Sequence, residues 1–324
     1  MSGSSHTYAV LDLFSSDRYQ GDQLSVVRVG NVPIAPAKEQ KIAQEFNFVT
    51  TAFLHDTEST SQPLVYGVDL YSPRYEHLFS ARALFGVAHY VFRALEGTEK
   101  EKAKQFRQCI LRTKYAEIQA RFDPTRQIAA IEIPHDCHVH GIETTKDEVL
   151  AVQRGLVSHP QALKMKASYP IFSLSRGFTY TLVDMTETPA LMQRLTPSEA
   201  PDPDLDEDWK FSPEKPGTAV IGAVYFVQLQ TDFTEEPFIT RLSIRSIKNK
   251  KEEAASASAC CAVAAYLALQ KPDILRHAYA FEQGQHVGRN CQLCVDVQLE
   301  PSGREIANIT LSGRAVFSME GKLL

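Results

Sequence analysis

The chain has 324 residues, 44% of them hydrophobic and 23% charged, and its formal net charge is −5. These values are typical of a globular protein of about two domains, and the mild acidity excludes a strongly basic nucleic-acid-binding protein. The sequence contains neither an apolar run long enough for a membrane span nor a signal-peptide pattern, and its six cysteines are too sparse for a disulfide framework. We therefore expect no nucleic-acid or membrane partner and a cytoplasmic location.

The first half of the chain mixes strand and helix patterns. Alternation of apolar and polar residues predicts strands at 8–14, 24–29, 51–54, 65–71 and 127–133. Apolar residues at helical spacing predict helices over 38–46 and 81–95, and the charged segment 99–120 is predicted to be a surface helix.

The second half continues the same mixture. Thr145 and Glu148 have the spacing of a capping box, which predicts the start of a helix, and a second apolar helix is predicted at 257–269. Strands are predicted at 178–183, 218–228, 240–244, 291–299 and 305–317, and the acidic, proline-rich segment 197–216 is predicted to be a solvated loop. Strands with few helices, and no regular βαβ alternation, predict the α+β class.

The two apolar helices repeat one pattern. When Ser80–Phe92 is aligned with Ser256–Ala268, six of the thirteen positions are identical. A helix that is apolar on every face is buried on every face. The alternative is a chance similarity between two alanine-rich helices. The repeat predicts two pseudo-symmetric domains, each a mixed β-sheet wrapped around a central helix, with bounds of 1–140 and 141–324 and the C-terminal strand joined to the first domain.

Five motifs in chain order resemble those of one protein family. They are Gly21-Asp-Gln-Leu-Ser-Val-Val27, Ile42-Ala-Gln-Glu-Phe-Asn-Phe-Val-Thr-Thr-Ala-Phe-Leu54, Ala81-Arg-Ala-Leu-Phe-Gly86, Glu252-Glu-Ala-Ala-Ser-Ala-Ser258 and Gln283-Gly-Gln-His-Val-Gly-Arg289. They are similar to segments of the phenazine-biosynthesis PhzF-like family, which has the diaminopimelate-epimerase fold. The last motif is the best preserved, and the resemblance covers nearly the whole chain.

The resemblance implies a set of site residues in an interdomain cleft. The positions of the family's catalytic groups correspond to Thr50, Arg82, Glu253 and Ser258. The family's glutamate, which shuttles a proton, is replaced by Thr50, and its histidine is replaced by Arg82. A threonine hydroxyl cannot shuttle protons unaided, and an arginine stays charged and cannot act as a base. Glu253 keeps the carboxylate of the family's aspartate, so one carboxylate remains where the family has two.

The same motifs imply substrate-binding residues, namely Asp22, Asn47 and Gly288.

The repeat also places Arg82 and Ser258 at equivalent positions, at the starts of the two apolar helices. A helix N-terminus favours anions, so an arginine there needs a negative partner. Glu253 is one candidate, and a substrate carboxylate or enolate is another. An interdomain salt bridge with no catalytic part is the alternative.

Two other residue patterns could be taken for functional sites. The segment His135-Asp-Cys-His-Val-His140, with Glu143 nearby, carries metal-ligand types, although a polar connection between domains explains it better. Cys291 and Cys294 lie on a predicted strand, where an i, i+3 pair points to opposite faces, so a redox pair is not expected. Cys260 and Cys261 are expected to be small core residues. We predict no metal.

No glycine-rich phosphate loop is present, so no nucleotide or other cofactor is expected. Two functions remain. One is a cofactor-independent isomerase or cyclase of secondary metabolism, including a pericyclase such as a Diels–Alderase. The other is a catalytically inactive relative that binds a small molecule or a partner. A small-molecule substrate is the expected partner, and a homodimer remains open.

Overall fold

The computed structural model describes residues 6–30, 32–56, 63–98, 108–210, 219–232 and 238–324. The chain forms two compact units: the first contains Met1–Ile133 and Thr310–Leu324, and the second contains Pro134–Ile309. The first unit's long segment thus ends at Ile133, whereas the sequence predicts a division after residue 140.

In its described residues, the first unit is built from strands and two helices. Its strands are β1 (Thr7–Leu13), β2 (Asp22–Arg28), β3 (Thr51–Leu54), β4 (Leu64–Tyr71), β5 (Glu76–His77), β6 (Gln108–Arg112), β7 (Glu117–Asp123), β8 (Ile128–Glu132), the end of β19 (Ile306–Gly313) and β20 (Ala315–Lys322). Its helices are α1 (Pro36–Phe46) and α2 (Ala81–Thr98). Pro36 lies in the first turn of α1, where its missing N–H has no helical partner to lose.

One mixed sheet runs through this unit. From one edge its strand order is β20, β1, β2, β3, β4, β6, β7, β8 and β19. The β2–β3 and β4–β6 pairs are parallel, and the other pairs are antiparallel. The strands β1, β2, β3, β6, β7 and β8 all contact α2, so the sheet wraps around this helix. Ala83, Leu84 and Phe85 of α2 are fully buried as a result.

The second unit is again a sheet with one long helix. Its strands are β9 (His138–Val139), β10 (Thr144–Thr145), β11 (Ser168–Tyr169), β12 (Ile171–Ser175), β13 (Phe178–Asp184), β14 (Val220–Asp232), β15 (Ile239–Lys248), β16 (Lys251–Glu252), β17 (Arg276–Gln283), β18 (Cys291–Leu299) and the start of β19. Its helices are α3 (Lys146–Val152) and α4 (Ala257–Leu269). The capping box of Thr145 and Glu148 is present at the start of α3, as predicted.

The two units have the same strand connectivity. In the second unit β12–β13 is antiparallel, β13–β14 parallel, β14–β15 antiparallel, β15–β17 parallel and β17–β18 antiparallel. This matches the series β1, β2, β3, β4, β6 and β7. The short strands β5 and β16 each fold back on the strand before them, and each precedes the long helix.

The helix α4 contacts β12, β13, β17 and β18. Its alanines and cysteines are small, so strands can approach it on every side, and most of its side chains are fully buried. The predicted α+β class is confirmed, as is a mixed sheet around a central helix in each unit.

Three element predictions need correction. The predicted surface helix over 99–120 is wrong where the structure describes it, because 108–112 and 117–123 are strands. The predicted strand over 305–317 is two strands, β19 and β20, separated at Arg314. The predicted loop 197–216 contains a short 3₁₀ turn at Glu207–Trp209, and its residues 211–216 lie outside the described part.

Among the described residues, the helices are all too short or too polar to cross a lipid bilayer.

Candidate active site

The first cluster of predicted site residues lies at the N-terminal ends of two neighbouring strands in the first unit. The strands β2 and β3 are parallel, with Ser25 opposite Thr51, so both strands begin at the same end of the sheet. Asp22 begins β2, and Thr50 directly precedes β3. Arg82 is the second residue of α2 and reaches both side chains. Three residues that are up to 60 positions apart in sequence are thereby brought together.

The Arg82 guanidinium forms an ion pair with Asp22 through Nη1 and donates a hydrogen bond from Nη2 to Thr50 Oγ1 at 3.1 Å. The exposed fractions of the two charged side chains are only 11% and 9%. In such a place an unpaired charge would be costly. The sequence names Glu253 as a candidate partner for Arg82, whereas the structure supplies Asp22 from the same unit. Because Thr50 accepts from Arg82, its own O–H remains a donor for another group.

Asn47 has a different position in the same unit. It is exposed and ends α1 in the left-handed conformation, with φ 53°, and its N–H donates to the Ala43 carbonyl at 3.0 Å. Among the described residues it shares no hydrogen bond with the Arg82 cluster. Its substrate-binding role therefore stays a prediction.

The second cluster surrounds the start of α4. The strands β15 and β16 are joined through Asn249 and Lys250, which both have positive φ, the conformation of a tight two-residue hairpin turn. This turn sets Lys248 beside Glu253, and their side chains form an ion pair at 2.9 Å. Ser246 Oγ also donates to Glu253 Oε2 at 3.3 Å.

Ser258 lies in the first turn of α4 and is half-buried. Its Oγ is 2.6 Å from the hydroxyl oxygen of Tyr180, which projects from β13 and is fully buried. Burial raises the pKa of Tyr180 to about 12. The phenol is therefore protonated at neutral pH, and the pair can donate a hydrogen bond to a third group.

Gln283, the first residue of the best preserved motif, joins the parts of this second cluster. Its Oε1 accepts from the Ser256 N–H at 2.9 Å, and its Nε2 donates to the Glu253 carbonyl at 2.9 Å. The Ser256 side chain makes no cap hydrogen bond, so Gln283 satisfies one of the free N–H groups at the start of α4.

Gly288, the predicted substrate-binding glycine, ends the short 3₁₀ turn at Gln285–Val287 and is exposed, with φ 71°. A Cβ added there would meet no atom within 4 Å. Gly284 begins the same turn with φ 86°, and a Cβ there would lie 1.9 Å from the Arg289 carbonyl oxygen. In this motif the backbone thus comes too close for a Cβ at Gly284, so this position requires glycine. The role of Gly288 in binding substrate stays a prediction.

Sequence reasoning missed three polar residues of these clusters, namely Tyr180, Lys248 and Gln283. Gln283 could have been found, since it heads a motif of the family. Lys248 begins a charged run, which usually indicates only a solvated surface. Tyr180 carried no signal, because its contact with Ser258 spans 78 residues of sequence.

The cysteines follow their sequence interpretation. Cys260 and Cys261 are fully buried, and burial raises the pKa of both thiols, so they are neutral core residues. Cys291 is buried and Cys294 exposed, on opposite faces of β18, and both are free thiols.

The histidine-rich segment forms a polar cluster within the second unit. His138 Nε2 is 2.6 Å from Asp206 Oδ2, and the His138 ring stacks on Trp209 with centroids 4.6 Å apart. The His140 ring uses both nitrogens, because Nε2 is 2.9 Å from Ser173 Oγ and Nδ1 accepts from the Asp206 N–H at 3.1 Å. His138, His140 and Asp206 form a group that could also hold a metal ion, and in the structure both carboxylate oxygens of Asp206 accept hydrogen bonds from protein groups.

Comparisons with solved structures find the same fold in proteins of low sequence identity. A PhzF-family phenazine biosynthesis protein of Bacillus anthracis matches with a TM-score of 0.73 at 14% identity, covering 99% of both chains. A protein of Pseudomonas aeruginosa described as a predicted epimerase matches with a TM-score of 0.64 at 18% identity, again covering 99% of both chains.

A hydroxyproline epimerase of Agrobacterium vitis, with bound trans-4-hydroxy-L-proline, matches with a TM-score of 0.56 at 11% identity, covering 98% of this chain and 91% of the other. A search among curated proteins gives no significant match. The family model for phenazine biosynthesis-like proteins, PhzC-PhzF, matches residues 11–321, nearly the whole chain. The protein therefore belongs to the PhzC-PhzF family of phenazine biosynthesis-like proteins.

Proposed function

We propose that the protein is a cofactor-independent isomerase or cyclase that acts on a small-molecule intermediate of secondary metabolism. One observation carries the proposal: each of the two central helices begins at a cluster of hydrogen-bond donors, Arg82 with Thr50 in one unit and Ser258 with Tyr180 in the other. Family membership supports an isomerase-type reaction, as do the names of the similar Pseudomonas and Agrobacterium proteins, the first described as a predicted epimerase and the second as a hydroxyproline epimerase.

The residues present favour polarisation of a substrate over a two-base proton shuttle. Thr50 stands where the family has its acid/base glutamate, and the remaining carboxylate of the family pattern, Glu253, is paired with Lys248. Donors fixed beside a helix N-terminus stabilise negative charge that develops on a carbonyl oxygen in the transition state. A pericyclic ring closure, such as a Diels–Alder reaction, depends on shape and such polarisation more than on a base. We therefore favour a pericyclase within the proposed class.

A catalytically inactive binding protein is the second candidate. The observation that favours it is that both charged residues of the family pattern have partners inside their own units, Arg82 with Asp22 and Glu253 with Lys248. Such neutral pairs are compatible with a site that binds a ligand without transforming it.

Metabolite profiling of a strain that lacks the protein tests the proposal. An enzyme leaves its substrate to accumulate, and purified protein then converts that compound without added cofactor. Binding of the compound without conversion would support the inactive relative and overturn the enzyme proposal.

Variants then separate the mechanisms. Arg82→Ala should lower turnover more than about tenfold, because a hydrogen bond to a charged group contributes about 1.5–3 kcal/mol.

Glu253→Gln should abolish the turnover of a proton-transfer isomerase but only lower that of a pericyclase. Thr50→Val should be milder than either change, since it removes one neutral hydrogen bond. Arg126→Ala, at a side chain that is 75% exposed, is the matched control for loss of a charge.

Arg82→Ala also removes the cation that faces the buried Asp22, so its activity is measured well below its own unfolding temperature. If all three site variants convert the substrate like the wild type, the chemistry lies elsewhere.

We also propose that the two clusters act on one substrate. The double variant Arg82→Ala/Glu253→Gln tests this, since groups acting on one substrate should show non-additive losses.

A further inference from the structure

Three metal-ligating side chains meet in the first unit, away from the residues of the proposed function. Glu39 lies in the first turn of α1, His55 directly follows β3, and Asp69 lies in β4. One donor atom of each residue lies within 4.8 Å of the others. The antiparallel β3–β4 pairing explains part of this, because Leu54 faces Val68 and the next pair in register is His55 with Gly67. His55 and Asp69 are therefore diagonal neighbours on one face of the sheet.

Glu39 is the unusual member of this cluster. It is only 2% exposed, and its Oε1 has no hydrogen-bond partner among the residues that the structure describes. Burial is the main cause that raises the pKa of Glu39, and the nearby Asp69 adds to it. A buried carboxylate oxygen without a partner, close to a second carboxylate, is unfavourable unless a positive group compensates it.

The charged groups around the cluster do not supply that compensation directly. His55 Nε2 lies 2.8 Å from Asp69 Oδ2, so this ring is already paired with Asp69. Lys114 Nζ lies 3.9 Å from Asp69 and also pairs with Glu76, and its side chain is 54% exposed. The neutral hydroxyl of Tyr71 is a further polar neighbour of Glu39, and Glu76 adds negative charge nearby.

We propose that Glu39, His55 and Asp69 bind one divalent transition-metal cation. One imidazole with two carboxylates is a donor set that suits Zn²⁺ and its first-row neighbours. With metal–ligand bonds of about 2.1 Å, donors around a tetrahedral ion lie about 3.4 Å apart. The His55–Asp69 pair, at 2.8 Å, therefore has to open slightly, and donors that lie up to 4.8 Å apart have to approach. The cation displaces the proton that His55 shares with Asp69, which is released to solvent, and compensates the charge of Glu39, whose Oε1 has no partner among the described residues.

This site is separate from the proposed active site. Thr50 precedes β3 and His55 follows it, so five residues at about 3.3 Å each put about 16 Å between them. The three ligands come from α1, β3 and β4, and a bound cation would hold α1 against the two strands. The donors are far apart in sequence and form no motif, which is why the sequence predicts no metal.

Zinc titration of the full-length protein tests the proposal. The purified chain is stripped with a chelator, and Zn²⁺ is titrated in competition with a chromogenic chelator. We expect one Zn²⁺ per chain and a higher unfolding temperature with zinc, since a ligand that binds the folded state stabilises it. Glu39→Gln and Asp69→Asn should each weaken zinc binding at least about tenfold.

The other histidine–aspartate cluster provides the matched control. Asp206→Asn changes the cluster of His138 and His140. Both carboxylate oxygens of Asp206 accept hydrogen bonds, unlike Glu39 Oε1, so this variant should bind zinc like the wild type. If Glu39→Gln fails to fold, the partly exposed His55 and Asp69 provide the replacement variants His55→Gln and Asp69→Asn. The absence of stoichiometric zinc binding in the wild type would overturn the proposal. So would a loss of binding in Asp206→Asn with binding retained in the Glu39, His55 and Asp69 variants.

Discussion

One buried side chain, Gln283, connects the turn that carries Glu253 with the first turn of α4. It is 2% exposed, and its amide uses both ends, one for the Ser256 N–H and one for the Glu253 carbonyl. The side chain of the N-cap residue Ser256 makes no cap hydrogen bond, and the Gln283 amide instead accepts from the backbone N–H of Ser256. The two hydrogen bonds of Gln283 give the first residue of the best preserved family motif a structural role.

Gln283→Ala should destabilise the protein by about 2 kcal/mol, because it removes the partners of a buried N–H and a partly buried carbonyl. Equilibrium unfolding in urea measures this change. Gln285→Ala, two residues further along and exposed, is the control and should stay within about 0.5 kcal/mol of the wild type. Equal stability of the two variants would show that the two hydrogen bonds of Gln283 do not stabilise the start of α4.

The site residues that could be predicted from sequence are those that the family motifs contain. Asp22, Thr50 and Arg82 were named from motifs, and the structure brings these three together in one unit. The pairing of Arg82 with Asp22 was not predicted, since a motif states which residues are present and not which of them touch. Tyr180 illustrates the remaining limit, because a contact between distant strands and helices depends on the whole sheet.

At the scale of elements, the central helices were the most predictable. Their apolar character on all faces predicts bounds of 81–95 and 257–269, and the structure has Ala81–Thr98 and Ala257–Leu269. The strand β7 was missed because its exposed positions are charged or polar and resemble a surface helix. Its buried residues nevertheless alternate as Ile118, Ala120 and Phe122, which is the period of a half-buried strand.

The 3₁₀ turn at Gln285–Val287 offers a matched pair of glycines. Gly284 and Gly288 flank it, and both have positive φ, at 86° and 71°. A Cβ on Gly284 would lie 1.9 Å from the Arg289 carbonyl oxygen and 2.6 Å from the Ala254 carbonyl oxygen, whereas Gly288 faces open space.

Gly284→Ala should therefore cost more than about 3 kcal/mol, because a strained φ is combined with a backbone collision. Gly288→Ala should cost only about 1–2 kcal/mol, the cost of the left-handed conformation alone. Chemical denaturation compares the two variants. Gly288→Ala also leaves the turn intact, so a loss of substrate affinity in this variant would support the predicted binding role. Similar destabilisation by both variants would contradict this assignment of the strain.

At the scale of the whole molecule, buried histidines couple stability to pH. Burial is the largest cause that lowers the pKa of His89 in the first unit and of His140 and His277 in the second. The change is largest at His89, whose pKa falls to about 4. This ring is 5% exposed, and its Nε2 lies 3.2 Å from the Gly313 carbonyl oxygen and 3.3 Å from the Ala129 nitrogen. It thus joins α2 to neighbouring strands in its neutral form.

The pKa of His55 shifts in the opposite direction, because its hydrogen bond with Asp69 raises it. The stability that His55 contributes is present below the unfolded pKa of about 6.5 and is lost as the pH rises through its folded pKa. The buried histidines change the stability only below about pH 6.5, whereas His55 changes it above that pH, so the two contributions fall in different pH ranges.

Acidification from pH 7 to pH 4 should therefore destabilise the protein through His89. Below about pH 6.5 the unfolded chain binds a proton on this ring, while the folded chain does not bind one until about pH 4, so stability falls as the pH falls. A difference of this size corresponds to about 3 kcal/mol. Urea unfolding across this pH range measures the loss, and His89→Gln should reduce it by about that amount. The same pH dependence in His89→Gln as in the wild type would show that other groups cause the acid sensitivity.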